Sequence, residues 1–175
     1  MAADVRCAVL TISDRSAQGS REDLSGPALA EIVKREGWQV VRSAVIPDDQ
    51  AGVEARLSQW ADAGDVDVIL TTGGTGFGSR DHAPEATRAV VDRFAPGLAE
   101  AIRAASLRKT PHAMLSRGAA GIRRRTLIVN LPGSPRAAKE SLEVILPALP
   151  HAAELLRGEA SAEEGHVRRP PQTHA

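Results

Sequence analysis

An α/β fold is predicted, built on a mostly parallel sheet with helices on both faces and one antiparallel edge strand. Three features of the sequence carry this expectation. Near-continuous apolar, β-branched runs recur at Val5–Ile12, Asp67–Thr72 and Thr126–Leu131, the pattern of strands covered on both faces. Amphipathic helical stripes alternate with the strands, the arrangement of βαβ units. Ala119–Arg125 reads as a short polar strand joined to Thr126–Leu131 by a connection too short for a parallel crossover, so it runs antiparallel.

Each element has its own local signals. The first strand, Val5–Ile12, holds the chain's one cysteine, Cys7, which reads as a small buried hydrophobe and can form neither an internal disulfide nor a zinc cluster. A polar stretch to Glu22 follows, and Ser25-Gly26-Pro27 announces a helix with proline at its first position. Ala28, Leu29, Ile32 and Val33 share a face of that helix, which Gly37 stops. Trp38–Ile46 is the second strand, and Pro47-Asp48-Asp49 opens a helix striped with Val53, Leu57, Trp60 and Ala61. The Asp67–Thr72 strand runs into a loop rich in glycine and threonine that ends at Asp81; Pro84-Glu85 starts the next helix, and another covers roughly Gly97–Leu107. Met114–Gly118 reads as a loop. After Thr126–Leu131, Pro132-Gly133-Ser134-Pro135 leads into a helix with Ala138, Leu142, Ile145 and Leu149 in register, extended by His151–Arg157 beyond Pro150.

Composition narrows the functions open to such a chain. Its 175 residues fit one domain with a full core, expected over residues 1–157. From Gly158 the sequence loses periodicity, and residues 158–175 read as a disordered tail. Lys+Arg and Asp+Glu both count 22, for a formal net charge of zero, which argues against a nucleic-acid binder. No run approaches the length of a membrane span and no leader is visible, so a cytoplasmic protein without a membrane partner is expected. Aromatics are 2% of residues, with no tyrosine. Ligand contacts must therefore come from backbone amides, hydroxyls, carboxylates and arginines rather than an aromatic cage.

The unusual polar segments follow the carboxyl ends of predicted parallel strands: Thr11–Asp14, Pro47–Asp49, Thr71–Asp81 and Asn130–Pro135. In open α/β sheets these ends share one rim, where ligands bind, so a single pocket for a phosphate-bearing small molecule is expected there. Glycines let the backbone approach phosphate oxygens, although taken alone the loop also fits a plain tight turn. It is not a Walker A sequence, and Ser79 stands where the third glycine of a dinucleotide fingerprint would fall. Asp49 suits the helix N-cap, which leaves Asp48 free for a ligand or Mg²⁺. Asp81 either binds a metal on a nucleotide phosphate or pairs with Arg80 at the surface. Ser134 before Pro135 suits an N-cap. Arg117 fits an anion contact or a solvated side chain. Arg123, Arg124 and Arg125 read as charges protecting a sheet edge. The five histidines lack metal-ligand spacing, and His82 alone lies beside the candidate site.

Taken together, Thr11-Ile12-Ser13-Asp14, Pro47-Asp48-Asp49, Thr71-Thr72-Gly73-Gly74-Thr75-Gly76, Arg80-Asp81 with Pro84-Glu85-Ala86-Thr87, Leu115-Ser116-Arg117 and Asn130-Leu131-Pro132-Gly133-Ser134-Pro135 resemble the MogA/MoaB-type molybdopterin-binding family. The motifs fall in the family's order over about residues 5–157. The resemblance implies a three-layer α/β/α fold and a homotrimer. It further implies transfer of AMP from Mg·ATP to the phosphate of molybdopterin with release of pyrophosphate, and hand-over of the product to a molybdenum-inserting protein. On it, Asp48 and Asp81 hold Mg²⁺ and orient the phosphates. Thr11, Ser13, Asp14, Thr72, Gly73, Gly74, Thr75, Gly76, Ser116, Arg117, Pro132, Gly133 and Ser134 form the cradle for molybdopterin and nucleotide. A non-catalytic pterin carrier of the same fold is the alternative. The chain departs from the pattern at Ala83, where the family has a threonine whose hydroxyl would cap the next helix, a contribution of about 1 kcal/mol. Either Asp81 turns toward that helix start, or its first turn is looser.

Overall fold

The computed structural model describes residues 4–159. The chain runs β1 (Arg6–Ile12), α1 (Asp14–Ala17), α2 (Ser25–Arg35), β2 (Gln39–Ile46), α3 (Gln50–Asp62), β3 (Val68–Thr72), α4 (Ala83–Val90), β4 (Arg93–Phe94), α5 (Pro96–Leu107), β5 (Ala120–Arg123), β6 (Thr126–Leu131), α6 (Pro135–Ile145) and α7 (Leu149–Arg157). The sheet order is β2-β1-β3-β6-β5-β4. β2, β1, β3 and β6 are parallel, and β5 runs antiparallel to β6 as expected.

Alternate side chains of the central strands point to opposite faces, and each face has its own core. Val9, Leu70 and Val129 pack under α2, α5, α6 and α7, while Leu10, Ile69 and Ile128 pack under α3 and α4. The result is a three-layer α/β/α arrangement. Cys7 is fully buried in the first core, and burial pushes its thiol up to about 12, so it is an inert packing residue. Strand register brings the carboxyl ends level: Ile12 pairs with Ile46, Thr11 with Thr72, and Thr72 with Leu131. All four following loops therefore emerge on one rim.

Several elements differ from the sequence expectation. The two-residue β4 pairs outside β5, with Arg93 opposite Ile122; a strand this short has no periodicity to read. A 3-10 turn, Pro111–Leu115, overlaps the expected Met114–Gly118 loop and begins where the Thr110 hydroxyl accepts the His112 N–H at 3.3 Å. The last helix is interrupted by a 3-10 turn at Leu146–Ala148, because Pro147 has no N–H for the helical ladder. Apart from Gly158 and Glu159, the expected tail lies outside the described residues.

At the opposite end of the sheet, Asp67 ties three distant segments together. Its carboxylate, 3% exposed, accepts from the Arg6 backbone N–H at 2.8 Å and from the Arg6 and Arg157 guanidinium groups. Burial alone would raise Asp67, but these hydrogen bonds outweigh it and hold the group at about 2. β1, β3 and α7 are thereby fastened at the pole away from the rim.

Candidate active site

The four rim loops enclose a crevice of about 500 Å³, a size that suits a cofactor or nucleotide. Nine of the expected site residues line it: Thr11, Ser13 and Asp14 from the β1 end, Asp48 after β2, Thr72, Gly73 and Gly74 after β3, and Gly133 and Ser134 after β6. Thr75, Gly76, Ser116 and Pro132 lie on the other side of the glycine loop, around a more apolar hollow of about 270 Å³. Asp81 and Arg117 flank a third, shallower depression beside Phe77 and His82. The glycine loop is thus a ridge with the expected residues on both flanks.

That ridge depends on backbone conformations that side chains resist. Gly73 has φ +106 and Gly74 φ +65, both in the left-handed half of conformational space. A Cβ on Gly73 would collide with the Ile12 carbonyl oxygen, and one on Gly74 would stand 2.7 Å from Asp48 Oδ1. Only a bare Cα lets the ridge pack this closely against that oxygen. Arg117 fixes the ridge from behind: its backbone N–H donates to Thr75 O at 2.9 Å, its Nε to Gly76 O at 2.7 Å, and its remaining nitrogens to Asp81 O and the Glu85 carboxylate. Burial would raise Glu85, but Arg117 outweighs it and holds the carboxyl below the usual range. All three guanidinium nitrogens of Arg117 are thus engaged by the protein.

Hydroxyl geometry divides the expected ligand donors. Thr11 Oγ1 donates to Asp23 at 2.7 Å, and Thr72 Oγ1 donates to Pro132 O at 2.7 Å. Each hydroxyl has one proton, so both threonines have given theirs to the protein. Ser13 and Ser134 instead accept, as N-caps, from the N–H groups of Ser16 and Ala137, which leaves their own O–H protons to donate. Within the crevice, the Ser13 and Ser134 hydroxyls thus keep a proton that the protein does not take.

Three carboxylates collect at one end. Asp49 caps α3 by accepting the Gly52 N–H at 2.8 Å, as its position predicts, and Asp48 turns inward. Asp48 Oδ1 is buried with no hydrogen-bond partner. Burial, reinforced by the charges of Asp81 and Asp14, pushes its carboxyl up to about 6. Asp14 accepts the Asp48 backbone N–H at 2.9 Å and the Arg80 guanidinium through both oxygens; Arg80 first, then the Asp48 N–H, lower its titration. Arg80 therefore pairs across the rim with Asp14 rather than with its neighbour Asp81.

Asp81 turns back into the loop and accepts the Gly78 N–H at 2.8 Å. α4 starts at Ala83 without a side-chain cap, and the Ala83 N–H is satisfied by Gly74 O at 3.1 Å. The N-cap position is His82 rather than the expected Ala83, which is the first helical residue, and Asp81 stays on the loop side.

Asp48 Oδ1, a buried oxygen without a partner held against the bare Gly74 Cα, and the Asp81 carboxylate whose charge it feels are the hard donors that a divalent cation would use at this end of the crevice. Among the described residues no group of three or more His, Cys, Asp or Glu side chains could hold an ion unaided. The donor set matches Mg²⁺ that keeps part of its coordination on substrate phosphates.

Sequence reasoning missed Asp23 and Ser25. Asp23 Oδ1 accepts the N–H groups of Ser25 and Gly26 at 3.1 Å, and Ser25 Oγ donates to Gly133 O at 2.7 Å. Together they tie the start of α2 to the loop after β6. Asp23 stands two residues before Ser25 in an aperiodic polar stretch, and an Asp placed so close to a helix start was the one signal available.

The fold and crevice define a class: an α/β protein with a crevice of ligand size at the carboxyl rim of a parallel sheet. A family model described as a probable molybdopterin binding domain matches residues 8–151, and the chain belongs to that family. The molybdopterin adenylyltransferase of Helicobacter pylori (strain J99) is 39% identical over 156 residues, covering 88% of this chain and 89% of that protein. The Drosophila melanogaster molybdenum cofactor synthesis protein cinnamon is 43% identical over 155 residues, covering 87% of this chain but only 26% of its own length. Among solved structures, the molybdopterin biosynthesis enzyme MoaB from Thermus thermophilus superposes with a TM-score of 0.83 at 49% identity, covering 89% of this chain and 98% of that one. No described helix is long and apolar enough to cross a membrane.

Proposed function

We propose that this chain is a molybdopterin adenylyltransferase of molybdenum cofactor biosynthesis, acting in the cytoplasm as a homotrimer. It transfers AMP from Mg·ATP to the phosphate of molybdopterin, releases pyrophosphate, and passes the adenylylated pterin to a molybdenum-inserting protein. The observation that carries this reading is the unpaired, buried Asp48 oxygen at the meeting point of four rim loops. Such an atom costs stability and is explained by a cation that arrives with substrate. The likeness over nearly the full length of the H. pylori adenylyltransferase supports the same activity.

The reaction needs no side-chain nucleophile. A phosphate oxygen of molybdopterin attacks the α-phosphorus of ATP, the bond from that phosphorus to the α–β bridging oxygen breaks, and pyrophosphate departs with the electron pair. The protein's task is to position and to neutralise charge. Asp48 and Asp81 would hold Mg²⁺, which supplies charge neutralisation on the phosphates. Ser13 and Ser134 donate hydroxyl protons to phosphate oxygens. Gly73 and Gly74 keep the floor beneath Asp48 free of side chains, while Arg117 and Glu85 hold the ridge that carries Asp81. Burial and neighbouring charge raise the Asp48 carboxyl to about 6, so cation binding below about pH 6 should release a proton.

The test is turnover of the purified chain with molybdopterin and Mg·ATP, with adenylylated pterin and pyrophosphate resolved by chromatography. Product that disappears in Asp48→Asn is expected. Tight pterin binding without product in the wild type would make the chain a carrier instead.

A further inference from the structure

We propose that Arg80 is a phosphate clamp, parked on Asp14 in the ligand-free protein and exchanged onto the nucleotide's phosphate chain when ATP enters. This rests on the nucleotidyl-transfer reading above and assigns a residue to which that reading gave no role.

The crevice has an electrostatic problem that this solves. Asp14, Asp48 and Asp81 crowd the end where a triphosphate must enter, close enough for Asp48 to feel both neighbouring charges. A polyanion approaching three carboxylates needs fixed positive charge there, and Arg80 is the arginine whose charge is felt at Asp48. Arg117 is not available, since its guanidinium is engaged by Gly76 O, Asp81 O and Glu85. Arg15 and Arg21 line the crevice, on the side of α1 and the segment that follows it, whereas Arg80 reaches its edge through Asp14.

Arg80 has the geometry of a residue that can change partners. Its Nε and Nη2 reach Asp14 at 3.0 and 2.9 Å, the two-pronged arrangement that a guanidinium makes equally well with a phosphate. The pair is open to solvent, with the Arg80 side chain 62% exposed and that of Asp14 31%; ion pairs in that setting are held weakly and exchange readily. Asp14 keeps a function after the exchange, because its Oδ1 also accepts the Asp48 backbone N–H at 2.9 Å.

Exchange makes a prediction of sign that a static bridge does not. Removing Arg80 should weaken nucleotide binding, whereas neutralising Asp14 should strengthen it, because Arg80 is then free before ATP arrives. Asparagine at this position retains an oxygen for the Asp48 N–H. The experiment is calorimetric titration of Mg·ATP and of magnesium tripolyphosphate into the wild type, Arg80→Ala, Arg80→Lys and Asp14→Asn, with thermal melts to establish that each is folded. Arg80→Ala should lose about tenfold in affinity for both probes, Arg80→Lys should recover part of it, and Asp14→Asn should bind several-fold more tightly. Equal weakening in Arg80→Ala and Asp14→Asn overturns the exchange in favour of a static bridge. ATP binding unchanged in Arg80→Ala overturns the clamp alone, and a wild type that does not bind ATP overturns the transfer reading and the clamp with it.

Discussion

Replacing Asp48 with asparagine should destroy activity while making the protein more stable, and the size of the gain can be worked out from its surroundings. The Asp48 carboxyl is held at about 6, mainly by burial and then by the charges of Asp81 and Asp14. An unfolded aspartate titrates near 4. The folded state therefore binds more protons than the unfolded chain between those two values, so stability falls as pH rises from about 4 to about 6 and stays reduced above that. A shift of about two units corresponds to about 3 kcal/mol if fully expressed. Asp48 is only partly buried, and solvent screening reduces the figure to about 1–2 kcal/mol. Asparagine has no proton to lose, so the variant should recover that amount at about pH 8 and gain little near pH 4, where Asp48 is protonated in the folded state and about half ionised in the unfolded chain. For a chain of this size the recovery corresponds to an increase in Tm of about 2–8 °C. The assay is a thermal melt of both proteins at the two pH values, with AMP transfer measured alongside. A gain of equal size at both values, or a less stable variant at pH 8, would refute the claim that an uncompensated carboxylate is stored in the crevice.

Three other outcomes follow from the geometry. Asp81→Asn retains an oxygen to accept the Gly78 N–H, so the fold and pterin binding should persist while kcat falls on the order of 100-fold; unchanged turnover would remove Asp81 from the mechanism. Gly73→Ala places a Cβ against the Ile12 carbonyl oxygen at φ +106 and should cost about 2 kcal/mol or more, read as a lower urea midpoint; an unshifted midpoint would mean that the ridge is not tightly built. Asp67 behaves oppositely to Asp48. Held at about 2 by Arg6 and Arg157 against its burial, it contributes stability that is complete above about pH 4 and lost as pH falls through about 2. Asp67→Asn should therefore cost roughly 2–3 kcal/mol at neutrality and little at about pH 2, and denaturant titrations showing the same cost at both would contradict the pairing.

Much of this architecture is legible in the sequence because its signals are local. β1, β3 and β6 are buried on both faces, so they appear as unbroken apolar runs, and the rule that ligands gather at carboxyl ends then places four polar loops together. Asp49 and Ser134 are readable as caps because a cap acts within three residues. What escapes is long-range or too short. β4 has two residues and exists only because β5 offers it an edge. The Asp67 clamp joins positions 61 and 90 residues apart with no local mark. Arg80 stands beside Asp81 in sequence, yet its partner is Asp14, 66 residues away, because Asp81 is turned toward the Gly78 N–H. Whether a hydroxyl donates to protein or to ligand depends on its three-dimensional partner, so residue type does not separate Thr11 and Thr72 from Ser13 and Ser134.

In the proposed reaction the α-phosphorus of ATP ends on the pterin phosphate. The most direct measurement follows two samples of ATP, one labelled in the α-phosphate and one in the γ-phosphate, incubated with Mg²⁺, molybdopterin and the purified chain. The α-label is expected in the pterin and the γ-label in pyrophosphate, in equal amounts, and neither should move with Asp48→Asn. An α-label recovered only as free AMP or ADP, with the pterin unlabelled, would contradict the transfer and make the crevice that of a nucleotide hydrolase.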